Sequence, residues 1–206
     1  MKKLTIIAVI AFSLILILYS VYNFFIEPSF KRECGGNVIA GGNSEIGGEF
    51  QLTDINNQKI NSADLITEPA IIYFGYSYCP DVCPFDLQRN VIAVDILLDK
   101  GKKVTPIFIT IDPTRDTPDR LKDFSTFVHP ELIALTGSKE EITTVMKLFK
   151  VYGQKAKQDI INDKDYLMDH SAFSYLVDSS GVFIDYFNRR VTPEEMAERI
   201  ACYLNL

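Results

Sequence analysis

Two cysteines, Cys79 and Cys83, stand four residues apart beside two prolines in the stretch Ile71 to Pro84, IIYFGYSYCPDVCP. Sulfur is a soft donor and thiolate a good nucleophile, so such a pair offers metal binding or disulfide exchange. The spacing is C-x-x-x-C, one residue longer than the C-x-x-C of redox dithiols. Residues four apart share one face of a helical turn, so both sulfurs can converge on a single ion. The plain alternative is a structural disulfide, for which a site flanked by Pro80 and Pro84 is an unusual place.

The surrounding pattern explains how the pair is held. Ile71 to Phe74 is an unbroken β-branched and aromatic run, as in a central strand covered on both faces, and Gly75 ends it. A helix is expected from Pro84, tolerated in a first turn, to Lys100, with Gly101 as its stop. The thiols therefore lie at a strand-to-helix junction, where unpaired N–H groups and the positive end of the helix dipole favour thiolate. Val104 to Ile111 reads as a second strand, which makes a parallel βαβ unit. Its shared strand edge carries Cys79 and Asp112, and open α/β sheets place their sites at such edges.

Downstream, DPTRDTP (Asp112 to Pro118) is a polar turn, with Thr117 and Pro118 opening a helix over Asp119 to Phe127. Leu132 to Leu135 reads as a short strand. Ser138 and Glu141 form a capping box ahead of the apolar stripe Ile142, Val145, Met146 and Phe149. The polar run from Tyr152 to Asp165 predicts a surface excursion. Ala172 to Val177 and Val182 to Phe187, joined by DSSG, form a hairpin, and Thr192 with Glu195 caps a last helix ending near Leu204. Glu49 to Thr53 and Lys59 to Ile60 predict a smaller hairpin ahead of the main sheet. This order is thioredoxin-like, an α/β fold with an added N-terminal hairpin and a surface insertion.

In that topology the strand after residue 171 runs antiparallel to the cysteine-bearing strand, so its start meets that strand's end. His170 precedes this start, and two thiolates with one imidazole suit copper. Asp169 is expected to point away, and Asp112 to tune the site from behind its ligands or to meet a partner. The other of the two histidines, His129 before Pro130, reads as a surface or capping residue.

The chain has 206 residues, 47% of them apolar, and a net charge of −6. No basic cluster offers phosphates a landing site, so nucleic acid is excluded as a partner. Lys2 and Lys3 precede an uncharged run from Leu4 to Ile26, which at helical rise spans roughly 34 Å, enough for a hydrocarbon core. A retained transmembrane anchor is expected over 1–26, since the bulky residues Tyr22 to Ile26 do not resemble a cleavage site. The leading lysines place the N-terminus in the cytoplasm and the domain outside. Residues 27–48, rich in glycine, predict a flexible tether, and 49–206 the domain.

Three segments resemble the SCO/SenC family, membrane-anchored thioredoxin-like factors for assembling the dinuclear copper centre of cytochrome c oxidase. They are FGYSYCPDVCP (Phe74 to Pro84), TIDPTRDTP (Thr110 to Pro118) and DHSAFSYLVDSSGVF (Asp169 to Phe183). The resemblance implies a copper metallochaperone of the inner membrane, facing the periplasm, that holds Cu(I), Cu(II) or both on Cys79, Cys83 and His170. It also implies oxidase subunit II as client, with other periplasmic copper carriers or thiol reductants as further candidate partners. Tyr78 stands where many members have another residue, often histidine, which implies a different partner preference. Cys34 and Cys202 match no motif position and read as a free juxtamembrane thiol and a small core residue. A thiol–disulfide oxidoreductase acting on the same target is the alternative, with Cys79 and Cys83 as its redox pair. A peroxidase would need a cation against Cys79, and a catalytic zinc site would use the same three donors.

Overall fold

The computed structural model describes residues 2–21, 34–35, 46–157 and 165–205, with side chains in the first helix from Ile10 onward. The chain divides into two compact units, Met1–Ala40 and Gly41–Leu206. The first contains α1 (Lys2–Val21), whose described apolar side chains, Ile10, Phe12 and Leu14 to Leu18 among them, are exposed. Among the described residues no helix is long and apolar enough to cross a membrane. Most of the expected tether, and the end of the expected anchor, lie outside the described residues.

The second unit opens with the antiparallel pair β1 (Gln51–Thr53) and β2 (Lys59–Asn61), followed by the short helix α2 (Ser62–Leu65). Then come β3 (Ala70–Gly75), α3 (Val82–Asp99), β4 (Thr105–Thr110), α4 (Pro118–Val128), β5 (Ile133–Leu135) and α5 (Lys139–Leu148). The chain ends with β6 (Gly153–Lys155), β7 (Met168–His170), β8 (Ser174–Val177), β9 (Phe183–Phe187) and α6 (Pro193–Tyr203). The main sheet has the order β5-β4-β3-β8-β9, with β3, β4 and β5 parallel and β8 and β9 antiparallel to their neighbours.

β3 is central and all six of its residues are buried, as an unalternating apolar run requires. Ile71 joins Val94, Leu97, Met196 and Ile200 in the core beneath α3 and α6, and Ile72 joins Phe108, Leu121 and Val145 in the core on the other side. α5 and α6 start with the capping boxes Ser138/Glu141 and Thr192/Glu195, and α4 with Thr117 ahead of Pro118. α3 begins two residues before the expected Pro84. Proline lacks only a donor that the first turn would leave unpaired, so it sits inside that turn and Cys83 becomes helical. Residues 158–164 of the expected excursion lie outside the described residues; on either side of them β6 and β7 pair, and His170 therefore lies on a strand.

A buried polar network ties α3 to the sheet. Arg89 donates to Asp86 (3.3 Å), Asn90 (3.2 Å), Ser174 (2.8 Å) and the Asn188 carbonyl (2.9 Å), and the Tyr73 hydroxyl donates to Asp86 (3.1 Å). Arg89→Ala removes the buried cation of Asp86, leaving only the half-exposed Arg189 at 3.9 Å, and should lower unfolding free energy in urea by about 3 kcal/mol. Exposed Arg190→Ala should change it by less than about 0.5 kcal/mol, and equal effects would show that the network does not hold α3.

Candidate metal centre

The two thiols and the imidazole converge. One ligating atom from each of Cys79, Cys83 and His170 lies within 4.8 Å of the others, with 3.4 Å between Cys83 Sγ and His170 Nε2. The cysteines come from the loop between β3 and α3 and from the first turn of α3, and the histidine from the end of β7. Antiparallel pairing of β3 with β8, Tyr73 opposite Ser174, brings the end of the first and the approach to the second to one edge. Cys79 and Cys83 are free thiols.

Local structure sets the state of each donor. The Cys83 N–H, unpaired within the helix, points at Cys79 Sγ (3.4 Å), so the sulfur takes the place of an N-cap side chain that Asp81 does not supply. The Cys83 thiol beside it, then His170 and the N–H groups of Cys83 and Asp81, outweigh burial and draw Cys79 down to about 3. Cys83, which shares its proton with that sulfur and is itself buried, is pushed well above the ordinary thiol value. Without metal the pair carries one negative charge, on Cys79. His170 Nδ1 lies 2.9 Å from the Ser171 carbonyl and donates to it, which turns Nε2 toward the sulfurs. Tyr73 and Tyr76 stand edge-on to the imidazole at 6.3 and 6.0 Å and limit its rotation.

Two further groups shape the site. A Cβ on Gly75 would lie 3.0 Å from Cys83 Sγ and 2.9 Å from the Tyr73 ring, so only glycine lets the thiol sit this close to the strand end. Asp116, fully buried, accepts from Ser77 N–H (3.0 Å), Ser77 Oγ (2.6 Å) and Thr110 Oγ1 (2.6 Å), and Arg120 Nε donates to the same Ser77 hydroxyl (2.9 Å). This clamp fixes the cysteine loop to the end of β4.

The SCO1/SenC family model matches residues 40–205. The chain belongs to the SCO1/SenC family. Protein SenC of Rhodobacter capsulatus is 41% identical over 79% of this chain and 72% of its own length. Mitochondrial protein SCO2 of Saccharomyces cerevisiae is 41% identical over 82% of this chain, which spans 56% of that relative. A copper-bound crystal structure of Arabidopsis thaliana ScoI superposes with a TM-score of 0.73 at 34% identity, covering 78% of this chain and 98% of that one.

Within this family fold the two aspartates of the acidic turn have different partners. Asp112 is buried and accepts from Arg115 Nε (2.6 Å) and the Tyr166 hydroxyl (2.8 Å), behind the three clustered donors rather than among them. The aspartate that reaches the cysteine loop is Asp116, overlooked in the sequence although it lies in the same DPTRDTP turn. Asp169 is exposed, as expected, and His129 caps the C-terminus of α4, with its ring beside Asp95 at 3.2 Å. Tyr78 is 48% exposed, with the guanidinium groups of Arg115 and Arg120 at 4.9 and 4.7 Å. Cys34 and Cys202 are both disulfide-bonded, which corrects the readings of one as a free thiol and the other as a small core residue.

The charge assignment predicts reactivity. Cys79 keeps 8% of its surface exposed and Cys83 1%, so iodoacetamide should reach Cys79 first in the reduced, metal-free protein. Because Cys79 is thiolate well below neutrality, its alkylation rate should change by less than about twofold between roughly pH 6 and 8, where an ordinary thiol changes almost in proportion to hydroxide. A steep rise across that window, measured by mass spectrometry, would contradict the assignment.

Proposed function

We propose that this chain is a copper metallochaperone that carries one copper on Cys79, Cys83 and His170 and helps fill the dinuclear copper centre of cytochrome c oxidase subunit II. The observation that carries this reading is the convergence of two sulfurs and one imidazole nitrogen within 4.8 Å. Two soft donors and one borderline donor suit Cu(I) and admit Cu(II), and three protein ligands leave a position open for a partner's ligand during transfer. The copper-bound state of the related Arabidopsis ScoI supports the choice of metal.

The setting supports delivery at a membrane. In this reading residues 1–26 form a retained single-pass anchor in the inner membrane, 27–48 a tether and 49–206 the copper-binding domain in the periplasm. Lys2 and Lys3 ahead of the apolar run set the orientation, and the exposed apolar side chains from Ile10 to Val21 suit contact with lipid. Confinement near the membrane raises the effective concentration for a membrane-bound client. Periplasmic copper carriers would load the site and thiol reductants would keep it reduced.

The second reading, a thiol–disulfide oxidoreductase for the client's cysteines, draws on the low-pKa Cys79 beside a protonated Cys83. His170 separates the two. In cells lacking the chain, His170→Ala should restore little oxidase activity, and the purified variant should bind copper at least about tenfold more weakly. Full rescue by a variant that no longer holds copper would transfer the function to the thiols alone.

A further inference from the structure

A cleft of about 560 Å³ lies between α5 and the ribbon of β6 and β7, within the range of specific ligand sites. α5 lines it at helical spacing, with Ile142 and Met146 flanked by Lys139 and Lys147, and the ribbon adds Met168 and Lys155. All three lysines are exposed. Among the described residues lining it, the one carboxylate, Asp112, is buried and bonded to Arg115 and Tyr166, and the next exposed carboxylate, Asp165, lies in the adjoining cleft. A positive rim on a chain of net charge −6 sets this cleft apart from the acidic whole.

The cleft is also coupled to the metal centre. Gly153 pairs with His170 and Lys155 with Met168, so its ribbon wall is the strand pair that presents the histidine. A Cβ on Gly153 would come within 2.6 Å of Met146 Cε, the flexible end of a cleft-lining side chain, so the ribbon packs directly on the side chains of α5. A second cleft of about 700 Å³, lined by Tyr78, Pro80 and Tyr166, shares Thr114 and Lys155 with the first and leads to the loop of Cys79.

We propose that the α5–ribbon cleft binds an extended acidic peptide segment of a protein partner, with its carboxylates at Lys139, Lys147 and Lys155 and an apolar side chain against Ile142 and Met146. The segment then continues past Thr114 toward Cys79. Charge complementarity selects an acidic occupant, and the concave apolar lining selects a peptide over a membrane, since a flat bilayer surface meets the lysines without filling the cleft. Peptide binding belongs to the cleft itself; only its link to metal transfer rests on the copper reading above.

The test uses the full chain, reduced and metal-free, in phosphocholine micelles, with a fluorescein-labelled hexapeptide of sequence Asp-Leu-Asp-Glu-Leu-Asp. The expected result is saturable binding, weakened about tenfold or more by combined Lys139→Glu, Lys147→Glu and Lys155→Glu, and about threefold by each alone. Lys103→Glu with Lys122→Glu, charge reversals outside the cleft, should leave affinity unchanged. The serine counterpart, Asp-Ser-Asp-Glu-Ser-Asp, should bind about tenfold more weakly, because it lacks apolar side chains. Equal binding of the two peptides, or equal loss in the outside variant, would reduce the effect to net charge and overturn the proposal. Displacement of the peptide by phosphatidylglycerol added to the micelles would overturn it in favour of a lipid surface. Copper per chain, measured on the same triple variant, should be unchanged, so failure of the cleft and failure of the metal site are read separately.

Discussion

The antiparallel register between β3 and β8 is the constraint on which the site depends. With Tyr73 opposite Ser174, the chain leaving β3 and the chain approaching β8 meet at one sheet edge, although the donors they carry are 87 residues apart. A slip of one residue would exchange the faces of the whole strand and set each side chain into the wrong core, so close packing on both faces specifies the register. The hydrophobic core thus fixes the placement of a polar site at its edge. The buried Asp116 clamp and the glycine at 75 refine this placement, the first by holding the loop to β4 and the second by giving Cys83 room.

The charge state follows from the same geometry. The first turn of α3 offers N–H groups with no partner inside the helix, and Cys79 Sγ accepts one of them. Two adjacent thiolates would repel one another in a buried setting, so ionisation is divided unequally, with Cys79 charged and Cys83 protonated. A dithiol in that state can release its one proton to solvent as a soft metal ion binds, or attack a disulfide. Metallochaperone and reductant readings therefore share their first chemical step, and the imidazole distinguishes them.

Much of the fold was legible because its core elements obey one rule each. β3 is an unalternating apolar run, α5 and α6 carry capping boxes, and DSSG joins two strand-like segments. The site was legible for a different reason: only the parallel βαβ unit and the antiparallel hairpin bring a lone histidine beside the two thiols. What escaped was set by tertiary contacts. The ribbon of β6 and β7 has three-residue strands without alternation, and its pairing is long-range, so no local pattern announces it. Asp112 and Asp116 are indistinguishable by type within one polar turn, and only the backbone path decides that the second faces Ser77. The disulfide state of Cys34 and Cys202 carried no signal in spacing, since neither belongs to a motif.

X-ray absorption at the copper edge of the reduced, Cu(I)-loaded protein tests the central claim most directly, because it counts ligand types around the metal. The account predicts two sulfur ligands and one imidazole nitrogen, with multiple scattering from the imidazole ring that disappears in His170→Ala. Copper bound by sulfur alone, or an imidazole signal that survives this substitution, would contradict the assignment of Cys79, Cys83 and His170 as one site.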